Sequence, residues 1–113
     1  MKCFGEQKES YDLKIEGDVA TNPIWCNHCG YNLDLDDIPI SVDLKNELIG
    51  WGTRYGKWID WDKDILVLNG IELEEEHNKQ GEKLTEEVKK ELGDKYKISF
   101  SPSTSAKSYA NKY

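Results

Sequence analysis

The feature that most constrains this chain is the stretch Trp25-Cys26-Asn27-His28-Cys29-Gly30. Two cysteines separated by two residues can face one zinc ion from a single tight turn, and zinc favours thiolate ligands in tetrahedral sites. The glycine after the second cysteine lets the chain reverse, because it has no Cβ. The pattern predicts half of a zinc-binding knuckle, so further ligands must come from elsewhere in the chain.

The remaining cysteine, Cys3, precedes a predicted hairpin that would return the chain to the knuckle. We therefore expect Cys3, Cys26 and Cys29 to bind Zn²⁺. The fourth ligand stays open among His28, Glu6 and His77. Two other interpretations compete with this one. The thiols could be inert buried side chains. A redox pair is disfavoured, because a turn and not a helix follows Cys29.

Length and charge limit the function. The chain has 113 residues, which suits one domain with a modest core. Its net charge of −7 disfavours binding to nucleic acid or anionic membranes and favours a partner with positive charge. No apolar run approaches the roughly 20 residues of a membrane span. The start lacks the apolar core of a signal peptide, and an odd number of cysteines suits the reducing cytoplasm.

Alternating apolar and polar residues predict three strands. Residues 11–15 alternate as a half-buried strand does, and residues 19–25 could return as its partner after a turn at Gly17-Asp18. Residues 96–100 alternate in the same way. We expect this C-terminal strand to join the hairpin in one antiparallel sheet.

Two helices are predicted between these strands. Ser41 is a good N-cap for the first, whose apolar face recurs at helical spacing. The second should run from Gly70 to Leu92, with Asn69 and Glu72 as a capping box and Gly93 after its end. The expected inner faces are Leu44, Leu48, Trp51, Tyr55 and Trp58 for the first helix, and Leu73, His77, Gly81, Leu84, Val88 and Leu92 for the second. Gly81 indicates a close contact with the first helix, near Gly52.

These elements predict an α+β fold: a small antiparallel sheet, made of the N-terminal hairpin and the C-terminal strand, packed on two amphipathic helices with a partial zinc-ribbon-like knuckle. Residues 1–100 form the single domain, and residues 101–113 form a polar, flexible tail.

The stretch from Trp58 to Asp64 is the second unusual one. Asp60, Asp62 and Asp64 match the first ligand positions of a calcium loop, but Ile65 and Ile71 stand where its glycine and glutamate belong. Tryptophan is enriched at binding hot spots. We therefore assign partner binding to Trp58, Asp60, Trp61 and Asp62. The competing interpretation, which the sequence favours, packs Trp58 and Trp61 inward and leaves the aspartate side chains in solvent.

Most of the chain resembles a group of small uncharacterised proteins of bacilli. The likeness is carried by residues 25–30, 32–34, 39–41, 47–48, 58–62 and 77–79. The resemblance implies no activity and no catalytic residue. Separately, Cys26 to Gly30 is similar to one knuckle of the zinc-ribbon class, although the first knuckle of that class is incomplete here.

The favoured function is a noncatalytic, zinc-stabilised module of immunity or regulatory type that binds a protein partner, and the negative net charge favours a basic partner. A small zinc-dependent enzyme with an open coordination position is the first alternative. A nucleic-acid-binding zinc ribbon is the second, although the negative net charge disfavours it.

Overall fold

The computed structural model describes residues 2–3, 8–9, 12–18, 21–106 and 108. The strands are β1 (Lys2–Cys3), β2 (Lys8–Glu9), β3 (Asp12–Ile15), β4 (Ile24–Cys26), β5 (Ile59–Asp60), β6 (Ile65–Leu66) and β7 (Lys97–Phe100). The helices are α1 (Val42–Thr53) and α2 (Gly70–Leu92), with short 3-10 segments at Leu35–Asp37 and Gly93–Lys95. The predicted α+β class is confirmed.

The central sheet has the strand order β4-β3-β7. β4 pairs antiparallel with β3, which confirms the hairpin, and Leu13 lies opposite Cys26. β7 joins the other edge of β3, but it runs parallel, with Leu13 opposite Ile98. The expected all-antiparallel sheet is therefore a mixed sheet. Parallel neighbours need a long crossover, and both helices lie in the chain between the hairpin and β7.

One face of this sheet packs into the main core. Alternate residues of the three strands are buried, and they form one cluster with apolar residues of both helices. The helices run antiparallel: Ser41 at the start of α1 donates to Glu91 near the end of α2, while Arg54 after α1 donates to Gln80 in the middle of α2. The core thus lies between a small sheet and a helix pair.

Helix α1 is shorter than the apolar stripe predicts. Ser41 caps it as expected, accepting from the Leu44 amide at 3.2 Å. The helix ends at Thr53, because Arg54 N bonds the Trp51 carbonyl at 3.1 Å and Gly56, at φ +85°, then turns the chain. Trp58 therefore lies beyond the helix, in a second cluster with Ile59 and Ala106.

Helix α2 has the predicted bounds, and Gly93 ends it at φ +73°. Asn69 makes no side-chain cap bond, so the expected capping box does not form. Gly81 contacts α1 as predicted, through the indole of Trp51, the residue before Gly52. The inner face is also shifted by one residue at its start, since Leu73 is 37% exposed and Glu74 is 1% exposed.

The start of the expected tail packs on the domain. Ser101 N extends the pairing of β7 by donating to the Ile15 carbonyl at 2.9 Å. Ser103 and Asn78 exchange two hydrogen bonds of 2.8 and 3.1 Å. Ala106 is fully buried. The expected flexible tail over residues 101–113 therefore differs from the structure at 101–106, and residues 107 and 109–113 lie outside the described part.

Among the described helices, none is long and apolar enough to cross a membrane.

Candidate functional site

The cysteine knuckle forms the tight turn that its sequence predicts. Gly30 adopts φ +78°, and its amide donates to the Cys26 carbonyl at 2.8 Å. The amide of Cys26 in turn donates to the Tyr31 carbonyl at 2.9 Å. Asn27 fixes the turn to the start of β3 through its backbone and side chain, both of which donate to Asp12. Gly30 thus adopts the positive φ that favours glycine at this turn.

The two thiols of the knuckle have different environments. Cys26 is fully buried and belongs to the main core cluster, whereas Cys29 is exposed. His28 is also exposed. Among the residues that the structure describes, no three His, Cys, Asp or Glu side chains are grouped to hold a metal ion. The side chains of Cys3 and Glu6 lie outside the described residues, so the three-thiolate zinc site stays a prediction.

His77, the third candidate for the fourth ligand, lies in an aromatic enclosure. Its ring stacks on Trp51 at 4.4 Å between centroids and approaches Trp58 at 5.0 Å and Tyr55 at 6.2 Å. Trp51 Nε1 donates to the His77 carbonyl at 2.8 Å. Burial, and secondly the positive charge of Arg54, lowers the pKa of His77 to about 4. The imidazole is therefore neutral at pH 7 and serves as part of the core.

The four predicted partner-binding residues lie on and beside the β5–β6 hairpin. Trp58 is 1% exposed, and its Nε1 donates to Ser105 Oγ at 2.8 Å. It supports the hairpin from below and does not reach a partner directly. Trp61, by contrast, is 56% exposed, and Asp62 is exposed in the turn that joins the two strands.

Asp60 holds the turn at the tip of the hairpin. Its Oδ1 accepts from the amides of Asp62 and Lys63 at 3.1 and 3.2 Å. The indole of Trp61 lies over Gly56, where a Cβ would come within 3.0 Å of Trp61 Cζ2. One side of the indole is therefore packed against backbone while much of the ring faces solvent. Such an aromatic side chain is already ordered before binding, which lowers the entropic cost of association.

Glu74 is a structural residue that the sequence reasoning missed. Its Oε2 accepts from Ser103 Oγ and the Ala106 amide, each at 2.8 Å, and more weakly from Ser105 Oγ at 3.4 Å. This clamp holds residues 103–106 against Trp58 and hence beneath the hairpin. Helical spacing was the available signal, because Gly70, Glu74, His77 and Gly81 recur at steps of four, three and four.

Comparison with known proteins identifies the family. No curated protein matches the chain. A family model described as Serratia CdiI immunity protein-like matches residues 11–103. The matched region contains the central sheet, both helices and the β5–β6 hairpin, and it ends in the segment that Glu74 clamps. The chain therefore belongs to the Serratia CdiI immunity protein-like family.

Proposed function

We propose that this protein is an immunity protein that binds a toxin protein and blocks it by occupying part of its surface. The match to the immunity protein-like family over residues 11–103 carries the proposal. It agrees with the protein-binding module that the composition and the Trp-Asp stretch predict. In this proposal the chain acts as a stoichiometric binder, and it is the folded domain as a whole that presents the binding surface.

The architecture supports a binding role in two ways. A mixed sheet covered by an antiparallel helix pair gives a rigid core, which fixes the position of surface side chains. In addition, the hairpin that contains Trp61 is held by a buried tryptophan below it and by the Glu74 clamp. A preformed surface of this kind can bind tightly without ordering a flexible segment first.

The test has two stages. An affinity-tagged chain captures proteins from its source bacterium, and the captured proteins are identified by mass spectrometry. Each is then expressed in a sensitive host, alone and together with this chain. We expect one captured protein to arrest growth alone, to be harmless when co-expressed, and to form an equimolar complex in light scattering.

An unrelated acidic protein of similar size and net charge is the control, because it shows what charge alone captures and protects against. If no captured protein is toxic, or if co-expression does not restore growth, the proposed function is wrong. Growth restored equally by the control protein would also refute it, since protection would then need no specific fold.

A further inference from the structure

Negative charge is concentrated in one short segment of the chain. Residues 60–76 contain seven acidic residues and one lysine, whereas the rest of the chain has fifteen acidic and fourteen basic residues. The same segment contains four of the seven large apolar side chains that are exposed in the described part of the chain: Trp61, Ile65, Leu68 and Leu73. Charge and exposed apolar surface therefore coincide. We call the exposed side chains of residues 60–76 the acidic face.

The hairpin part of this face has a defined inner and outer side. Ile59 pairs with Leu66, and Asp60 pairs with Ile65. Because successive side chains of a strand alternate and Ile59 is buried, Asp60 and Ile65 point outward. Ile65 is 41% exposed. The tip then presents Trp61, so an aromatic and an aliphatic side chain stand among carboxylates.

The hairpin and the start of α2 form one continuous surface. Val67 N donates to the Trp58 carbonyl at 2.9 Å, which extends the pairing of β5 with β6 by one residue on each strand. A Cβ on Gly70 would lie 2.5 Å from Leu66 Cδ1 and 2.8 Å from the Trp58 carbonyl oxygen. The first residue of α2 therefore touches the hairpin directly. Between the two elements Leu68 is fully exposed, and Glu72 and Glu75 follow on the outer side of the helix.

We infer that the acidic face is the surface that binds the toxin, and that the toxin presents a basic surface with an apolar pocket for the indole of Trp61. This inference rests on the proposed function and specifies its binding site. Tryptophan anchors surrounded by polar side chains are typical of interface hot spots. Complementary charge then raises the association rate and selects the partner.

A second copy of this chain is a poor occupant for the same surface. A symmetric contact would place the acidic segment of one copy against that of the other, and like charges across an interface are strongly unfavourable. A basic partner instead gains from the same charges. The charge distribution therefore favours a basic protein partner over a second copy of this chain as the molecule that covers the exposed apolar side chains.

The experiment measures affinity for the captured toxin with matched variants. Trp61→Ala removes the aromatic anchor, and its control is Ile49→Ala, which truncates an apolar side chain that is 47% exposed on α1. We expect Trp61→Ala to weaken binding at least about 30-fold, as loss of a hot-spot residue does, and Ile49→Ala to change it less than about threefold. Circular dichroism and thermal unfolding confirm that each variant is folded.

Charge is tested by the double variant Asp62→Lys with Glu75→Lys. Its control is Glu82→Lys with Asp94→Lys, which makes the same change of charge at exposed positions outside the acidic face. We expect the first pair to slow association about tenfold or more and to flatten its dependence on salt, because steering by opposite charge is lost. The control pair should keep most of the wild-type association rate and salt dependence.

The outcomes separate the two proposals. If the wild-type chain binds the toxin and both acidic-face variants behave like their controls, the acidic face is not the binding site and the proposed function stands. If the wild-type chain binds no toxin, the proposed function is wrong and this inference fails with it. A wild-type dimer that Trp61→Ala dissociates would also overturn the inference, since a second copy would then occupy the face.

Discussion

The substitution Gly81→Ala tests how tightly the two helices pack. Gly81 lies in the middle of α2, where alanine is ordinarily better than glycine by about 1 kcal/mol. Helix propensity alone therefore predicts a more stable protein. The packing predicts the opposite, because a Cβ on Gly81 would lie 2.7 Å from Trp51 Cζ2 and 2.6 Å from Phe100 Cζ.

The neighbouring rings decide how large the effect is. Trp51 is 1% exposed, stacks on His77 and donates to the His77 carbonyl at 2.8 Å. It cannot move away without losing these interactions. Inserting a methyl group into a packed core costs about 1–3 kcal/mol, and contact with two rings places this case near the upper value. After subtraction of the propensity gain, we expect a net destabilisation of about 2 kcal/mol.

Guanidinium unfolding followed by tryptophan fluorescence measures the free energy of unfolding directly. A loss of about 2 kcal/mol corresponds to a Tm lower by roughly 10 °C for a domain of this size. Gly50→Ala is the matched control, since a Cβ there meets only the flexible end of Arg54 at 3.5 Å within the described residues. That variant should be more stable than wild type by about 0.5–1 kcal/mol.

We expect the same glycine-to-alanine change to lower the free energy of unfolding at Gly81 and to raise it at Gly50. If Gly81→Ala is as stable as wild type or more stable, the contact of α2 with Trp51 and Phe100 is not as tight as described. Adding Phe100→Leu to Gly81→Ala should recover part of the lost stability, because the smaller side chain leaves room for the methyl group.

Three further predictions follow from the clamp, the buried histidine and the knuckle. Glu74→Ala should lower the free energy of unfolding by about 2–4 kcal/mol and speed amide exchange at Ala106, because buried donors lose their acceptor. Glu74→Gln should lower the free energy of unfolding less than Glu74→Ala does. Equal losses for the two variants would contradict the role of Glu74 as an acceptor. The pKa of His77 is lower in the folded protein, at about 4, than in the unfolded chain, at about 6.5. The free energy of unfolding should therefore decrease as the pH is lowered from about 6.5 to about 4, with a loss of roughly 2 kcal/mol between about pH 7 and about pH 5. Chemical unfolding at these two pH values measures the loss, and His77→Gln should remove it; an unchanged slope would assign the effect to other groups. Protein purified without chelator should contain an equimolar amount of zinc, and Cys29→Ser should remove it. Cys29 is the better position to substitute, because it is exposed whereas Cys26 is buried in the core. Absence of zinc from the wild-type protein would refute the zinc hypothesis.

The candidate site was only partly predictable. Trp61 and Asp62 are exposed on the β5–β6 hairpin, which the sequence did not predict, and the assignment of Trp61, Asp60 and Asp62 to partner binding stays a prediction. Trp58 was assigned to the same surface, but α1 ends at Thr53 and the chain turns at Gly56, which places Trp58 inside. Glu74 was not placed on the inner face of α2, because a carboxylate among neighbouring glutamates gives no sign of the serines at 103 and 105 that donate to it.

The sequence by itself determined where both helices begin, where α2 ends and where the chain turns at Gly30. Ser41, Gly30 and Gly93 act through hydrogen bonds and backbone angles within a few residues, so their effect is visible in the local pattern. The tertiary structure alone decided that β7 runs parallel to β3, that Trp58 packs with Ile59 and Ala106 instead of on the face of α1, and that residues 103–106 pack on α2. Each of these depends on contacts between segments far apart in the chain. Such contacts are selected by how well whole surfaces pack, which no local pattern of residues encodes.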